Sequence, residues 1–294
     1  MMRQLSLTVA AVAALLSAVP AAAQGNGNGN AYGHFKNNGG GAVAAVPSAA
    51  GSPEIQVSGT GTRNFGSWLD DASVLSPGDT FVSVGIGLWN MPGYREVNVP
   101  MVDASVGVGR RVQVSGSMPY FYANEPGGPV ARGFGTSYLA AKLQLRAARP
   151  GHVGFAVTPV LELLTTAPLD GVSRRGWALP LNIEYQGRGW RTFSSVGYFS
   201  RGAIFASGAV EAAIGSRAWV TGSVSSSHST RADPLSFALG LSKTRVDATG
   251  GVSMALTNRA SLYGSVGRTI SRADANSATL ALAGGVAFQL PRVP

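Results

Sequence analysis

The chain of 294 residues is poor in charge and rich in glycine, with 13% charged residues, 45% hydrophobic residues, 40 Gly, 16 Pro and no Cys. This composition is unlike that of an ordinary soluble domain or a coiled coil, and the lack of cysteine excludes disulfide scaffolds and thiolate metal sites. A net charge of +9 indicates anionic partners, either nucleic acid or the phosphates of a membrane surface.

Residues 1–23 predict a secretory signal peptide. Arg3 supplies the positive charge, an apolar stretch extends to Val19, and Ala21 and Ala23 have the small-residue spacing that signal peptidase accepts. We therefore expect bacterial export with cleavage near Ala23, an uncleaved anchor being the alternative. Export removes most of the case for nucleic acid as a partner.

Residues 24–79 predict an N-terminal extension without a domain of its own. Residues 24–53 are dominated by Gly, Asn and Ala, and such a composition buries too little apolar surface to offset its chain entropy. We expect this part to be disordered. The remainder offers a short candidate strand at residues 54–60 and a turn at residues 76–79.

Residues 80–290 alternate between hydrophobic and polar or small side chains. The alternating segments are about ten to thirteen residues long, which suits a tilted strand that crosses a bilayer and exceeds the usual strand of a soluble protein. The clearest segment places Trp177, Leu179 and Tyr185 on one face and Asn182 and Glu184 on the other. Aromatic residues at both ends of the apolar face are typical of the two membrane interfaces.

The ionisable residues in the middle of these segments all lie on the polar or small face. They are Asp103, Lys142, Glu162, Glu184, Glu211 and Asp247. A soluble sandwich would turn a face rich in Lys and Glu to water, whereas a charge on a lipid face costs about 2 to 4 kcal/mol. The pattern therefore predicts an all-β fold, a transmembrane antiparallel up-and-down β-barrel of about 12 strands around a narrow polar lumen.

Connection lengths predict the orientation of this barrel. Short connections are expected at residues 109–110, 146–151, 186–189, 215–216 and 257–259, and longer ones at residues 90–100, 123–133, 166–175, 226–234 and 271–276. Short turns face the periplasm in outer-membrane barrels, so both termini should lie on that side. Residues 190–200 are aromatic on both faces and have no assignable parity. Residues 234–243 form an extra apolar segment that either extends an outer hairpin or marks a wrong register.

Two stretches are similar to a known family. GFGTSYLAAKLQLR (133–146) and ALTNRASLYGSVGRTISRADANSATLALAGGVAFQL (255–290) resemble the outer-membrane proteins of the MetA-pathway of phenol degradation family, with a likeness over residues 75–290. The resemblance implies a passive channel for hydrophobic or aromatic compounds. Outer-membrane barrels usually end on a Phe that the insertion machinery recognises, whereas Phe288 is followed here by Gln-Leu-Pro-Arg-Val-Pro.

A channel of this kind would use inward charges as a filter. The candidates are Asp103, Arg111, Lys142, Glu162, Glu184 and Glu211, with Asp103 and Arg111 nearer the periplasmic end. Alternatively, these charges pair with one another and plug a barrel that is too narrow to conduct. Loop arginines are candidates for contact with lipopolysaccharide phosphates, or are simply solvated: Arg95, Arg132, Arg174, Arg175, Arg201, Arg231 and Arg272.

Two other functional classes stay open. An outer-membrane lipid hydrolase would need a nucleophile and a base; His228 lies in a hydroxyl-rich run, but no acidic or amide group accompanies it at a recognisable spacing, and His152 is the other barrel histidine. A structural barrel could anchor the Gly/Asn-rich segment or display its loops. We expect a non-enzyme without cofactor or metal. Its expected partners are outer-membrane lipid, a small-molecule solute and the insertion machinery, but no nucleic acid.

Overall fold

The computed structural model describes residues 69–124, 131–163, 175–231, 242–274 and 277–290. The predicted signal peptide, the Gly/Asn-rich stretch, the candidate strand at residues 54–60, Arg174 and residues 234–241 lie outside this part of the chain. Within the described residues, no helix is long and apolar enough to cross a membrane.

In the described part of the chain, the segments with alternating hydrophobic and polar residues form a single closed sheet. Its strands are β1 Thr80–Met91, β2 Tyr94–Gly109, β3 Val112–Asn124, β4 Ala131–Phe134, β5 Ser137–Arg146, β6 Val153–Val157, β7 Val160–Leu163, β8 Arg175–Gln186, β9 Trp190–Phe199, β10 Ala203–Ile214, β11 Ala218–Ser229, β12 Thr244–Ala255, β13 Ala260–Thr269 and β14 Leu280–Leu290. Strands β4 and β5 both pair with β3, and β6 and β7 both pair with β5 and β8. Each of these two pairs is one interrupted strand of the wall. Because β1 also pairs with β14, the barrel closes with twelve antiparallel wall strands, and the predicted fold is confirmed.

The outward face of the barrel is apolar. Leu139, Leu179 and Val252 are 51%, 48% and 61% exposed, although such side chains are normally buried in soluble proteins. Their neighbours along each strand point inward and are buried, as Ala140 is beside Leu139. A belt of exposed apolar side chains around a closed barrel is the arrangement that contact with lipid requires.

The two ends of the barrel carry different connections. At one end, the turn end, the connections are residues 110–111, 147–152, 187–189, 215–217 and 256–259. The opposite end, the loop end, carries the longer connections at residues 230–243 and 270–279. The long loop predicted at residues 90–100 is wrong, because Pro92 and Gly93 join β1 to β2 directly and the following residues continue β2. Gly93 has a φ of +73°, which other residues rarely adopt and which this tight turn requires.

Strand β9 owes its unassigned parity to aromatic side chains on both of its faces. Phe193 and Phe199 point into the barrel and are 1% and 0% exposed, whereas Tyr198 points outward. The register of the neighbouring strand places Arg191 directly opposite Glu211 of β10. An arginine and a carboxylate of adjacent strands therefore meet inside the barrel.

Candidate functional site in the barrel lumen

Residues 69–75, here called the lumen segment, lie inside the barrel. All of them are buried, and none forms part of a strand. The chain then turns into β1: the Asp79 N–H donates to the Ser76 carbonyl at 2.9 Å, and Gly78 has a φ of +81°. This confirms the turn predicted at residues 76–79. The lumen segment therefore enters the barrel from the turn end.

The backbone at the end of the lumen segment lies very close to the wall at Gly107 of β2. A Cβ atom at this position would clash with the carbonyl oxygens of Leu75 and Ser76. The Gly107 N–H donates to the Asp79 carbonyl at 3.0 Å, and its own carbonyl accepts from Gly78 at 2.8 Å. A residue without a side chain is thus required where the chain passes from the lumen into β1.

Side chains of the wall hold the lumen segment by its backbone. Five wall side chains on strands β3, β5, β8 and β9 make six such hydrogen bonds. Three accept: Ser195 Oγ from Asp70 N–H at 2.9 Å, Glu184 Oε2 from Ala72 N–H at 3.2 Å and Gln113 Oε1 from Leu75 N–H at 2.9 Å. Three donate: Gln144 Nε2 to the Ala72 carbonyl at 2.9 Å, Lys142 Nζ to the Ser73 carbonyl at 3.0 Å and Ser195 Oγ to the Asp70 carbonyl at 3.3 Å. Buried main-chain groups need partners, and here the wall supplies them through side chains rather than through strand pairing. The segment is consequently fixed to one side of the lumen.

The carboxylate of Asp71 lies at the centre of a buried group of charges. Its Oδ2 is 2.7 Å from Arg191 Nη1, and its Oδ1 is 3.3 Å from Lys142 Nζ. Lys142 also pairs with Asp70 at 2.7 Å, and Arg191 with Glu211 at 2.6 Å. Because these groups are shielded from water, the loss of one member leaves its partner as an uncompensated buried charge.

Glu184 joins this group through both of its oxygens. Its Oε1 is 3.7 Å from Arg191 Nη1, and its Oε2 accepts from Ser73 Oγ at 2.7 Å. We call the six residues together the charge cluster: Asp70, Asp71, Lys142, Glu184, Arg191 and Glu211. It connects the lumen segment to β5, β8, β9 and β10.

The candidate filter residues occupy four different settings. Lys142, Glu184 and Glu211 belong to the charge cluster. Asp103 is buried elsewhere in the lumen, where it accepts from Ser83 and Ser117 Oγ at 2.9 and 2.7 Å. Arg111 is instead exposed in the turn between β2 and β3.

Glu162, the remaining candidate, pairs with an arginine that the sequence placed on the surface. Arg201 is buried, and its Nη2 lies 2.8 Å from Glu162 Oε2, with its guanidinium 5.9 Å from the centroid of Phe199. The expected contact of Arg201 with lipopolysaccharide is therefore corrected: the side chain turns inward to neutralise a buried carboxylate. The other arginines of that set in the described residues are exposed toward the loop end: Arg95, Arg132, Arg175, Arg231 and Arg272.

A cavity of about 500 Å³ opens at the turn end, beside the lumen segment. Its lining includes Arg110, Arg111, Gln144, Arg146, Arg149 and His152. Gln144 also binds the Ala72 carbonyl, so the cavity adjoins the segment directly. Arg111 therefore lies at the mouth of the lumen rather than at its narrow part.

The lumen is not uniformly polar, contrary to the sequence prediction. Two buried apolar clusters lie toward the loop end: Ala140, Val160, Ala178, Phe199, Ala203 and Phe205 in one, and Trp89, Met91, Met101, Ala278 and Ala281 in the other. A third contact packs Leu69 of the lumen segment against Phe193 and Ala209. The inward faces of β11 to β13 carry mainly small residues with hydroxyl groups: Thr221, Ser223, Ser225, Thr249, Ser253 and Ser261.

Several buried charges were not among the sequence candidates. Asp70, Asp71, Glu96, Arg191 and Arg245 are all buried. For Arg191 the signal was its position opposite Glu211, which only a fixed register of β9 reveals. For Asp70 and Asp71 the sequence holds no periodic signal, because they precede the first strand.

The histidine considered for hydrolysis lies on the outside of the barrel. His228 is exposed on β11, with its Nδ1 2.8 Å from Thr244 Oγ1. Among the described residues, no group of His, Cys, Asp and Glu could hold a metal ion.

These features define a closed twelve-strand β-barrel of the transmembrane class with a segment of its own chain bound in the lumen. No family model and no curated protein matches the sequence, so the resemblance to the phenol-degradation family stays a prediction. Among solved structures, the chain is similar to an outer membrane channel from Pseudomonas putida F1, with a TM-score of 0.53, 12% identity, and coverage of 74% of this chain and 97% of that one. It is also similar to the NanC porin, with a TM-score of 0.53, 10% identity, and coverage of 71% and 100%. At such identities the likeness concerns the fold.

Proposed function

We propose that the protein is a passive channel of the bacterial outer membrane for small solutes. The observation that carries this proposal is the lining of the barrel, where small hydroxyl side chains on β11 to β13 face a charge cluster and a bound segment across the lumen. An interior of this kind differs from the packed apolar core that stabilises a soluble barrel. Two proteins with a similar fold, from Pseudomonas putida F1 and NanC, are themselves an outer membrane channel and a porin.

The proposed orientation places the turn end in the periplasm and the loop end outside the cell. It follows from the connection lengths and from the predicted signal peptide cleaved near Ala23. Arg95, Arg132 and Arg175 then lie at the outer ends of strands, exposed at the level of the outer leaflet. Their guanidinium groups suit the phosphates of lipopolysaccharide, which we propose as their partner.

The proposed solutes are small and include hydrophobic or aromatic compounds. Support comes from the buried aromatic side chains toward the loop end, where Trp89, Phe199 and Phe205 point inward. A solute that enters from outside would meet these apolar surfaces before the charge cluster. Aromatic rings at this position favour planar, weakly polar molecules.

The test is conductance of the mature protein in planar lipid bilayers, together with swelling of liposomes in neutral solutes of increasing size. We expect discrete conductance steps and swelling that falls off with solute size. Bilayers with detergent alone serve as the control.

A structural or display barrel is the second candidate, and the burial of the lumen segment favours it. In that case the intact protein would give no steps, and neither would a variant in which the segment is released. Steps that appear only on release would instead identify a closed channel.

A further inference from the structure

Inside the barrel, the buried charges have the opposite sign to the chain as a whole. The chain carries a net charge of +9. Among the described residues, the buried acids are Asp70, Asp71, Glu96, Asp103, Glu162, Glu184, Glu211 and Asp247. The buried bases are Lys142, Arg191, Arg201 and Arg245. Four bases against eight acids give this lining a formal charge of −4. The carboxyl group of Glu96 accepts a hydrogen bond from Asn98. If Glu96 is counted as neutral, seven acids still exceed the four bases.

Among the described residues, the exposed positive charges lie toward the two ends of the barrel. Exposed arginines occur in every connection of the turn end, among them Arg110, Arg111, Arg149, Arg188, Arg217 and Arg259. Further exposed arginines lie toward the loop end, as described above. The lumen and its mouths are therefore electrostatically distinct.

Position decides which of these charges acts on a permeating ion. Charges at a wide, exposed mouth are screened by salt over about 10 Å at 0.1 M ionic strength. Charges along a narrow, low-dielectric passage act more strongly and raise the local concentration of the opposite ion. Acidic linings are typical of cation-conducting pores.

From this charge distribution we propose that the lumen selects small cations, including organic amines, and neutral solutes over anions. The inference rests on the proposed channel function and names the solute class of that channel. It runs against the anionic partners that the net charge of the chain indicates, because the exposed arginines of the described residues lie outside the passage.

The lumen segment contributes to this selectivity as well as to the width of the lumen. The wall members of the charge cluster, Lys142, Glu184, Arg191 and Glu211, carry two positive and two negative charges and are balanced. Asp70 and Asp71 add two negative charges at 2.7 Å from Lys142 and Arg191. The segment therefore makes this side of the lumen acidic.

The test is the reversal potential of the intact mature protein in a planar bilayer under a KCl gradient. We expect a ratio of potassium to chloride permeability of about three or more. The double variant Asp103→Asn with Asp247→Asn removes two wall carboxylates, keeps their size and hydrogen-bonding capacity, and leaves the five wall side chains that hold the segment unchanged. Its ratio should fall toward one. Liposome swelling should likewise be faster in small amines than in carboxylates of the same size.

A matched control removes positive charge from the mouth instead. Arg188→Gln with Arg217→Gln should leave the permeability ratio unchanged at high salt, because both side chains are exposed in connections of the turn end. Conductance with a ratio of potassium to chloride permeability at or below one would overturn the charge argument but not the channel function. An unchanged ratio in the variant Asp103→Asn with Asp247→Asn would have the same meaning. Absence of conductance in both the intact protein and a variant with the lumen segment released would refute the channel and this inference with it.

Discussion

Replacement of Asp71 by alanine should release the lumen segment from the wall. This carboxylate contacts both cations of the charge cluster, Arg191 at 2.7 Å and Lys142 at 3.3 Å. It also accepts from the Ser73 N–H at 3.0 Å, which holds the segment in its local turn. Alanine removes all three contacts without adding volume. The strands of the wall keep every main-chain hydrogen bond.

The size of the effect follows from the burial of the two cations. Removing one partner of a buried ion pair costs about 3 to 5 kcal/mol. Because Lys142 retains Asp70 and Arg191 retains Glu211, the lower end applies, about 3 kcal/mol. A change of that size shifts the ratio of bound to released segment about a hundredfold.

Cysteine labelling measures this ratio directly. The chain contains no cysteine, so Ser73→Cys introduces a single thiol at a position that is 3% exposed. Its rate of reaction with a small, water-soluble thiol reagent should rise about a hundredfold when Asp71→Ala is added, since labelling requires release. Both proteins lack the Ser73 hydroxyl, so the comparison isolates Asp71. Single-channel conductance should rise in parallel.

A matched control is Asp79→Ala, the same exchange in the turn that follows the segment. It should label at the parental rate, because this residue lies outside the charge cluster. Labelling rates in the Asp71→Ala protein within a factor of about two of the parent would contradict the assignment of Asp71 as the main anchor.

Three further predictions concern the wall and its surfaces. Val84→Arg, on the outward face of β1 near its middle, should lower the free energy of unfolding in lipid vesicles by about 2 to 4 kcal/mol, whereas Val108→Arg, which is also exposed but lies at a strand end, should cost about 0 to 1 kcal/mol; equal costs would contradict the proposed membrane position. Arg201→Met should cost about 3 kcal/mol in denaturant unfolding by removing the arginine partner of the buried Glu162 carboxylate, and adding Glu162→Gln should restore much of it; no recovery would show that the arginine stabilises through packing instead. Glutamine substitutions combined at Arg95, Arg132 and Arg175 should weaken the retention of lipopolysaccharide severalfold during purification. Arg188→Gln at the turn end should not weaken it. Equal retention in the two variants would refute the proposed contact.

The wall of the barrel could be predicted because its physics is local. A strand places alternate side chains on opposite faces, and lipid on one face forbids charge there, so Leu179 and Glu184 reveal their faces by parity alone. Twelve strands and their direction follow from that pattern. The error at residues 90–100 arose because Pro92 and Gly93 form a turn of minimal length within a stretch that contains a second proline.

The contents of the lumen could not be predicted in the same way. The bond between Asp70 and Ser195 joins positions 125 residues apart, and no periodicity in the sequence marks the first of them. Strand β9 shows the same limit. Phe193 is a hydrophobic residue on the inward face, where it packs against Leu69 of the lumen segment, so the strand lacks the alternation between hydrophobic and polar residues. Arg201 was assigned to the surface because it follows a strand end, but its side chain points inward and pairs with the nearby carboxylate of Glu162.

The way in which the segment is bound separates its stability from that of the barrel. Within the described residues, every wall strand finds its main-chain partners in other strands, whereas residues 69–75 are held by side chains such as Gln144 and Glu184. Releasing the segment therefore breaks no ladder of the sheet, and the wall can persist around an emptier lumen. The same separation applies to charge, because Asp70 and Asp71 supply the acidic excess of the cluster while its wall members are balanced. In the proposed channel, the passage width and part of the ion preference thus depend on one short stretch of chain, and both can change without any change in the fold.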